Sequence, residues 1–344
     1  MTDAPDFRLE QSELRADDEF TEFGSSDLEY YVDFRGTFHK VPLCPDDPSL
    51  QASGAEVAIV GAPLDDGTSG RPGARFGPMA IRSAPTAFGT LEAWSIQLDV
   101  EPFRLLNVVD AGDAPVVSSR HARGLRVIHE KVFRVARTGA IPIVLGGDHS
   151  ITYPSAAAVA RHASPKTVGV VHFDTHADTA DSVGGSLISH GTPMRRLIDE
   201  GWVAGRNFVQ VGLHGYWPEK ETFEWMREQG LRWHTAVEIE ERGAEAVISD
   251  AIAEALDGPD RIYLSVDIDV VDPGMAPGTG TPEPGGMLPR ELLRAIRRIV
   301  GQVDLAGMDV VEVSPPYDQS EVTAMLAHRC VLEALSALAV KKGA

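Results

Sequence analysis

Cysteine is nearly absent. Cys44 and Cys330 are the two in 344 residues. That is too few for a disulfide framework, and it suits a reducing, cytoplasmic setting. Basic charge is also scarce: 31 Lys and Arg face 51 Asp and Glu, a net charge of −20. Nucleic acid is therefore not an expected partner, because phosphate binding needs a basic patch. No uninterrupted apolar run approaches the roughly 18 residues of a membrane span, so no membrane is expected as partner. The first residues, Met1-Thr2-Asp3-Ala4-Pro5-Asp6, carry neither the basic nor the apolar region of a secretory signal.

What is present reads as an ordinary folded protein, 43% hydrophobic and 24% charged. Residues 1–54 are acidic and irregular, with Asp17-Asp18-Glu19 and the prolines Pro42, Pro45 and Pro48. They are expected to form an N-terminal extension lying on the surface or on a neighbouring subunit. From residue 55 to 344 the texture is that of a single domain. Short apolar runs at 57–60, 105–109, 141–145, 168–173, 208–213, 231–234, 262–266 and 305–311 read as strands. Most are continuous rather than alternating, the pattern of strands buried on both faces of a parallel sheet. Between them, 121–138, 244–256, 290–300 and 321–340 show the three-and-four spacing of helices. Alternating strands and helices predict an α/β fold with a mostly parallel sheet.

In such sheets, sites form beyond the carboxyl ends of the strands. Four predicted strands run directly into polar clusters. The run 141–145 enters Gly146-Gly147-Asp148-His149-Ser150, and 168–173 enters Asp174-Thr175-His176-Ala177-Asp178. The run 262–266 enters Asp267-Ile268-Asp269, with Asp272-Pro273 beyond, and 305–311 ends at Glu312. In an extended stretch, residues two apart share a face, so Asp174, His176 and Asp178 converge, as do Asp267 and Asp269. Taken singly, each has a plainer reading: a strand-end Asp is commonly a helix cap or turn residue. Asp148 and Asp181 read as supporting or turn residues, Asp272-Pro273 as a turn, and His172 as a ring satisfied within the sheet. Taken together, so many carboxylates in one place repel unless a cation sits among them. Four Asp and two His match the charge of two divalent ions. Oxygen-rich ligation with some imidazole suits Mn²⁺, and leaves Ni²⁺, Co²⁺, Fe²⁺ and Zn²⁺ open. A metal pair makes hydroxide available near neutral pH, so the residues alone point to a binuclear metal hydrolase.

In these same clusters, at 146–150, 174–178 and 265–273, the sequence resembles the ureohydrolase family of arginases and agmatinases. The stretch 61–78, which otherwise reads as a structural loop, and Val311-Glu312-Val313-Ser314-Pro315 are similar to the agmatinase branch. The resemblance implies a three-layer αβα fold with an eight-stranded, mostly parallel sheet, and a homo-oligomer, trimer or hexamer. It implies two Mn²⁺ ions, with Ni²⁺ the alternative. His149, Asp174, Asp178 and Asp267 would hold one ion; Asp174, His176, Asp267 and Asp269 would hold the other. A hydroxide between the ions would attack the guanidinium carbon of a small guanidino substrate, releasing urea and an amine. His190, in Ser189-His190-Gly191, would serve as acid, base or proton shuttle, and Glu312 would receive the guanidinium.

The substrate is expected to be agmatine. The loop 179–188 lacks the arginase pattern, which sets arginine aside. Two departures from the agmatinase pattern keep guanidinobutyrate, other guanidino acids, guanidine and metformin as alternatives. Thr175 and Ala177 replace the usual Ala and Thr, and His214 stands where agmatinases commonly carry Arg. His214 and Trp217 are expected to line the substrate pocket; Trp217 could instead pack under the following helix. A related metal deacetylase is disfavoured by the paired Asp267 and Asp269 with Glu312. A catalytically silent subunit is disfavoured because none of the six ligand positions is lost.

Overall fold

The computed structural model describes residues 36–84, 93–164 and 166–343. Among the described residues there are eight strands: β1 Val57–Ala62, β2 Val108–Asp113, β3 Ile141–Gly146, β4 Val168–Phe173, β5 Phe208–Leu213, β6 Arg232–Thr235, β7 Arg261–Asp267 and β8 Asp304–Val311. They form one sheet in the order β2-β1-β3-β8-β7-β4-β5-β6. Every pairing is parallel. β1, β4 and β5 are buried along their whole length, which is why their sequences are continuously apolar.

Successive residues of a strand feed opposite cores. Ile59 joins one core, packed with the helices Ala244–Ala255, Pro289–Gln302 and Val322–Gly343. Ala58 and Val60 join the other, with His121–Arg137 and Thr152–Ala163. Helices therefore cover both faces, and the architecture is the expected three-layer αβα arrangement. By length and composition alone Val322–Gly343 could cross a membrane, but 72% of its most apolar window is buried inside the protein. Its apolar character comes from packing on the sheet.

Two differences from the sequence reading have local causes. The strand expected at 105–109 is displaced to Val108–Asp113, because Pro102 opens a short helix, Pro102–Leu105, that absorbs the first apolar residues. The helix Thr152–Ala163 was not anticipated. It is buried nearly all round, from Thr152 to Val159, so it shows no amphipathic period.

Of the expected extension, residues 1–35 lie outside the described residues. Residues 36–54 lie against the β2 edge. Leu43 bridges to Asp110, the Cys44 N–H donates to the Asp110 carbonyl at 2.7 Å, and Phe38 is fully buried. Asp110 anchors this contact: its carboxylate accepts from the Phe38 N–H at 2.9 Å and from both Nε and a terminal nitrogen of Arg82.

His328, on the long C-terminal helix, joins that segment to the core. Its ring stacks on Phe38 at 4.3 Å, with His39 at 5.8 Å. Its Nδ1 bonds to the Ile81 carbonyl at 2.7 Å. Burial pushes its pKa down to about 4 from 6.5, against a smaller upward pull from that carbonyl. Above pH 6.5 the ring is neutral whether folded or unfolded, and adds no pH dependence. As pH falls from 6.5 to about 4 the unfolded chain takes up a proton that the folded chain refuses, so stability drops. The cost approaches about 3 kcal/mol. Denaturant melts of the parent and His328→Leu should diverge in this window, with the variant losing less stability on acidification. Parallel pH dependence would remove His328 from this role.

Candidate metal centre

The four strands with polar ends are the central neighbours β3-β8-β7-β4. Strand order thus turns four distant segments into one site at the carboxyl edge of the sheet. His149 follows β3 in a short turn capped by Asp148, whose carboxylate accepts the Ser150 N–H. Asp174 and His176 follow β4, Asp267 ends β7, and Asp269 sits in the turn after it. Asp178 and Glu312 hold left-handed backbone at φ 52° and 62°. Residues other than glycine adopt this conformation at a cost, and such outliers concentrate where function dictates geometry.

His149 Nδ1 lies 3.1 Å from Asp174 Oδ2, 3.0 Å from Asp178 Oδ2 and 2.9 Å from Asp267 Oδ2. The tautomer follows from the other side of the ring. Ser265 donates its hydroxyl proton to Asp309 at 2.7 Å, so its oxygen is free to accept from His149 Nε2 at 3.0 Å. With the proton on Nε2, Nδ1 is a buried lone pair with no hydrogen-bond partner, facing three carboxylate oxygens. Either a proton on Nδ1 or a bound cation reconciles that arrangement, and an imidazole with three carboxylates is a suitable donor set for a divalent metal. A second group lies beside it. His176 Nδ1 is 3.4 Å from Asp174 Oδ1 and 3.2 Å from Asp269 Oδ2. Asp174 therefore presents one oxygen to each group. Asp267 presents Oδ2 to the first, while its Oδ1 accepts the Asp269 N–H at 2.9 Å. His172 Nε2 braces Asp174 Oδ2 at 2.9 Å.

Protonation records the same conflict. Burial and then the neighbouring carboxylates push Asp267 well above the usual range, and Asp269 up to about 6. Burial disfavours a charged His149, yet Asp174, Asp178 and Asp267 outweigh it and hold its pKa well above the ordinary value. The metal-free cluster thus recruits protons in place of a cation, and binding a metal must release them.

Above the cluster opens a cleft of about 260 Å³, lined by His176, Asp178, His190, Trp217, Asp267 and Glu312 among others. Glu312 Oε1 accepts from the His149 N–H at 2.8 Å and faces His190 Nδ1 at 3.1 Å. Glu312 Oε2 is buried and has no hydrogen-bond partner among the described residues. Burial opposes charge on His190, but Glu312 prevails and raises its pKa to about 9. Trp217 is on the wall, edge-on to His176 at 5.8 Å. His214 is not among the residues lining this cleft: β5 lies outside the central four, and its ring is engaged by Thr175 Oγ1 and the Gly212 carbonyl at 2.9 and 2.8 Å. It lines a neighbouring depression with Tyr216. Asp148 is buried without reaching the cluster oxygens, and Asp181 is a surface partner of Arg195 and Arg196. Ser265 and Asp309 were not read as site residues from the sequence. Their signal was weak, polar side chains inside apolar strands.

The sequence pattern of the Arginase family matches residues 55–337. The chain belongs to the arginase family. It is 41% identical over 285 residues to the human mitochondrial guanidino acid hydrolase, covering 83% of this chain and 79% of that protein. It is 41% identical over 289 residues to the mitochondrial agmatinase of Gallus gallus, covering 83% and 82%. Among solved structures, the proclavaminate amidinohydrolase of Streptomyces clavuligerus superposes with a TM-score of 0.80 at 38% identity, covering 90% of this chain and 99% of that one. For this arginase-family chain, the binuclear metal site of the family and the two adjoining donor groups agree.

Asp267→Asn replaces the buried carboxyl by a group that needs no proton. Metal-free, the variant should melt above the metal-free parent as pH rises past the usual carboxylate range, where the parent's Asp267 must hold a proton that the unfolded chain releases. It should also lose most of the stabilisation the parent gains on adding Mn²⁺. A variant that melts lower without metal, yet gains as much from Mn²⁺ as the parent, would contradict this reading of the cluster.

Proposed function

We propose that this protein hydrolyses the C–N bond of a guanidino compound, agmatine in the favoured case, to urea and an amine, putrescine. The observation that carries the reading is the unpartnered, buried Oε2 of Glu312 beside the imidazole–carboxylate cluster. A carboxylate oxygen in that state suits the N–H fork of a guanidinium, in a charge-assisted pair. His149, Asp174, Asp178 and Asp267 would hold one divalent cation, and Asp174, His176, Asp267 and Asp269 the other, with Mn²⁺ expected and Ni²⁺ the alternative. Bound there, the cations supply the Lewis acidity that makes water a nucleophile near neutral pH. Glu312 fixes the guanidinium plane against the cluster. His190, hydrogen-bonded to Glu312, carries the proton that the departing nitrogen requires. Burial of the carboxylates excludes bulk water and strengthens each of these charges.

The substrate's tail is read from the cleft wall. Asp178 and Asp267 are taken up by the cations and Glu312 by the guanidinium, so the tail meets Trp217, and among the described residues no lysine or arginine lines the cleft to receive a carboxylate. A cationic tail suits this lining better than a carboxylate. The Trp217 ring offers an ammonium a face to rest on. A guanidino acid is the second reading, supported by the identity to the human guanidino acid hydrolase.

Urea release from agmatine, guanidinobutyrate, guanidine and metformin, with Mn²⁺ and then Ni²⁺, tests both levels. We expect kcat/KM for agmatine to exceed that for guanidinobutyrate by at least about tenfold, the scale of one favourable charge contact. Preference for guanidinobutyrate would overturn the substrate, and no urea from any compound would overturn the activity. His190→Ala should lower kcat about 100-fold or more, within the usual range for a proton-transfer group. An unchanged kcat would remove His190 from the reaction.

A further inference from the structure

The loop after β1 brings Ser69 to His190. The two ring nitrogens of His190 meet different partners. Nδ1 lies 3.1 Å from Glu312 Oε1. Nε2 lies 3.1 Å from the Ser69 backbone nitrogen and 2.7 Å from Ser69 Oγ. A backbone N–H only donates, so the neutral ring presents its Nε2 lone pair and keeps its one proton on Nδ1, donating to Glu312; the second proton that Glu312 favours has to arrive at Nε2. The hydroxyl is the one partner at Nε2 that can either donate or accept.

The loop is clamped to hold this contact. The Gly67 N–H donates to buried Asp148 Oδ2 at 2.7 Å. The Gly67 carbonyl accepts the His190 N–H and Ser189 Oγ, both at 3.0 Å. Asp148 thereby supports the loop and the histidine segment together. Ser69 itself is exposed and lines the cleft with His190 and Glu312.

We infer that Ser69 is a catalytic residue that works as a unit with His190. Its N–H fixes the Nδ1–H tautomer of the neutral ring, and its hydroxyl is the route by which Nε2 gains and returns a proton. In the forward direction the Oγ–H bond breaks as Nε2–H forms, and Oγ takes a proton from the nucleophilic water on the cleft side. In the return, Nε2–H breaks as Oγ–H re-forms, and the previous hydroxyl proton passes to the departing nitrogen. Ser69 and His190 end as they began, with one proton moved from water to the amine.

The inference rests on the guanidino-hydrolase reading, with His190 as the proton-carrying group. A double-mutant cycle tests it on the metal-loaded protein. Urea release is measured for the parent, Ser69→Ala, Ser69→Thr, His190→Ala and the Ser69→Ala/His190→Ala pair. Because Ser69 works as a unit with His190, Ser69→Ala should lower kcat about tenfold or more with KM within about threefold, since proton-transfer groups contribute to kcat. Ser69→Thr, which keeps the hydroxyl, should recover most of that loss. In the His190→Ala background, Ser69→Ala should have no further effect. Losses that multiply in the double variant, a loss confined to KM, or a Ser69→Ala enzyme with parental kcat would each overturn the inference and leave the activity standing. A parent that releases no urea from any compound would remove both.

Discussion

Three carboxylate oxygens within 3.1 Å of His149 Nδ1 are the constraint on which the rest of this structure depends. Two like charges about 4 Å apart repel by roughly 4 kcal/mol at the effective dielectric of a protein. Asp174, Asp178, Asp267 and Asp269 are all buried. A chain that gathers them must recover the cost, through protons when metal-free or cations when loaded. The scaffold can hold them against repulsion because four parallel strands, each buried in two apolar cores, fix where the side chains begin.

The surrounding residues answer the same constraint. Ser265 and Asp309 orient His149 so that the lone pair faces inward, and His172 braces Asp174. Such supporting bonds fix a ligand's tautomer and direction before any metal arrives. The strained backbone at Asp178 and Glu312 belongs here too, since each turns a carboxylate toward the centre from a strand end. Glu312 then links the layers: one oxygen braces His149 and meets His190, while the other is left for the cleft.

Much of this was legible in the sequence, for a physical reason. Strands buried on both faces read as continuous apolar runs, so the abrupt polar clusters after 145, 173 and 266 mark strand ends that open on a site. The spacing of Asp174, His176 and Asp178 marked them as site residues, and a bend at 175–176 with the left-handed Asp178, not extended alternation, brings them to the two donor groups. Strand order was not legible, because parallel crossovers can place successive strands on either side of the first. That is why His214, after β5, was expected at the pocket with Trp217. β5 is one strand beyond the central four, and only Trp217 reaches back to the wall. The contact of Ser69 with His190 depends on a loop closing over residues 121 positions away, and no local pattern announces it. The segment 36–54 was equally opaque, because its attachment runs through scattered contacts to Asp110 and His328 rather than through any periodic face.

The cluster's need for cations is tested most directly by counting them. Purified protein is stripped with chelator, reloaded with Mn²⁺, freed of excess ion by exhaustive dialysis, and assayed for metal by mass spectrometry. Two equivalents per chain are expected, from two adjoining donor groups that share Asp174. A protein that retains none, while remaining folded with its carboxylates ionised at neutral pH, would contradict the central claim.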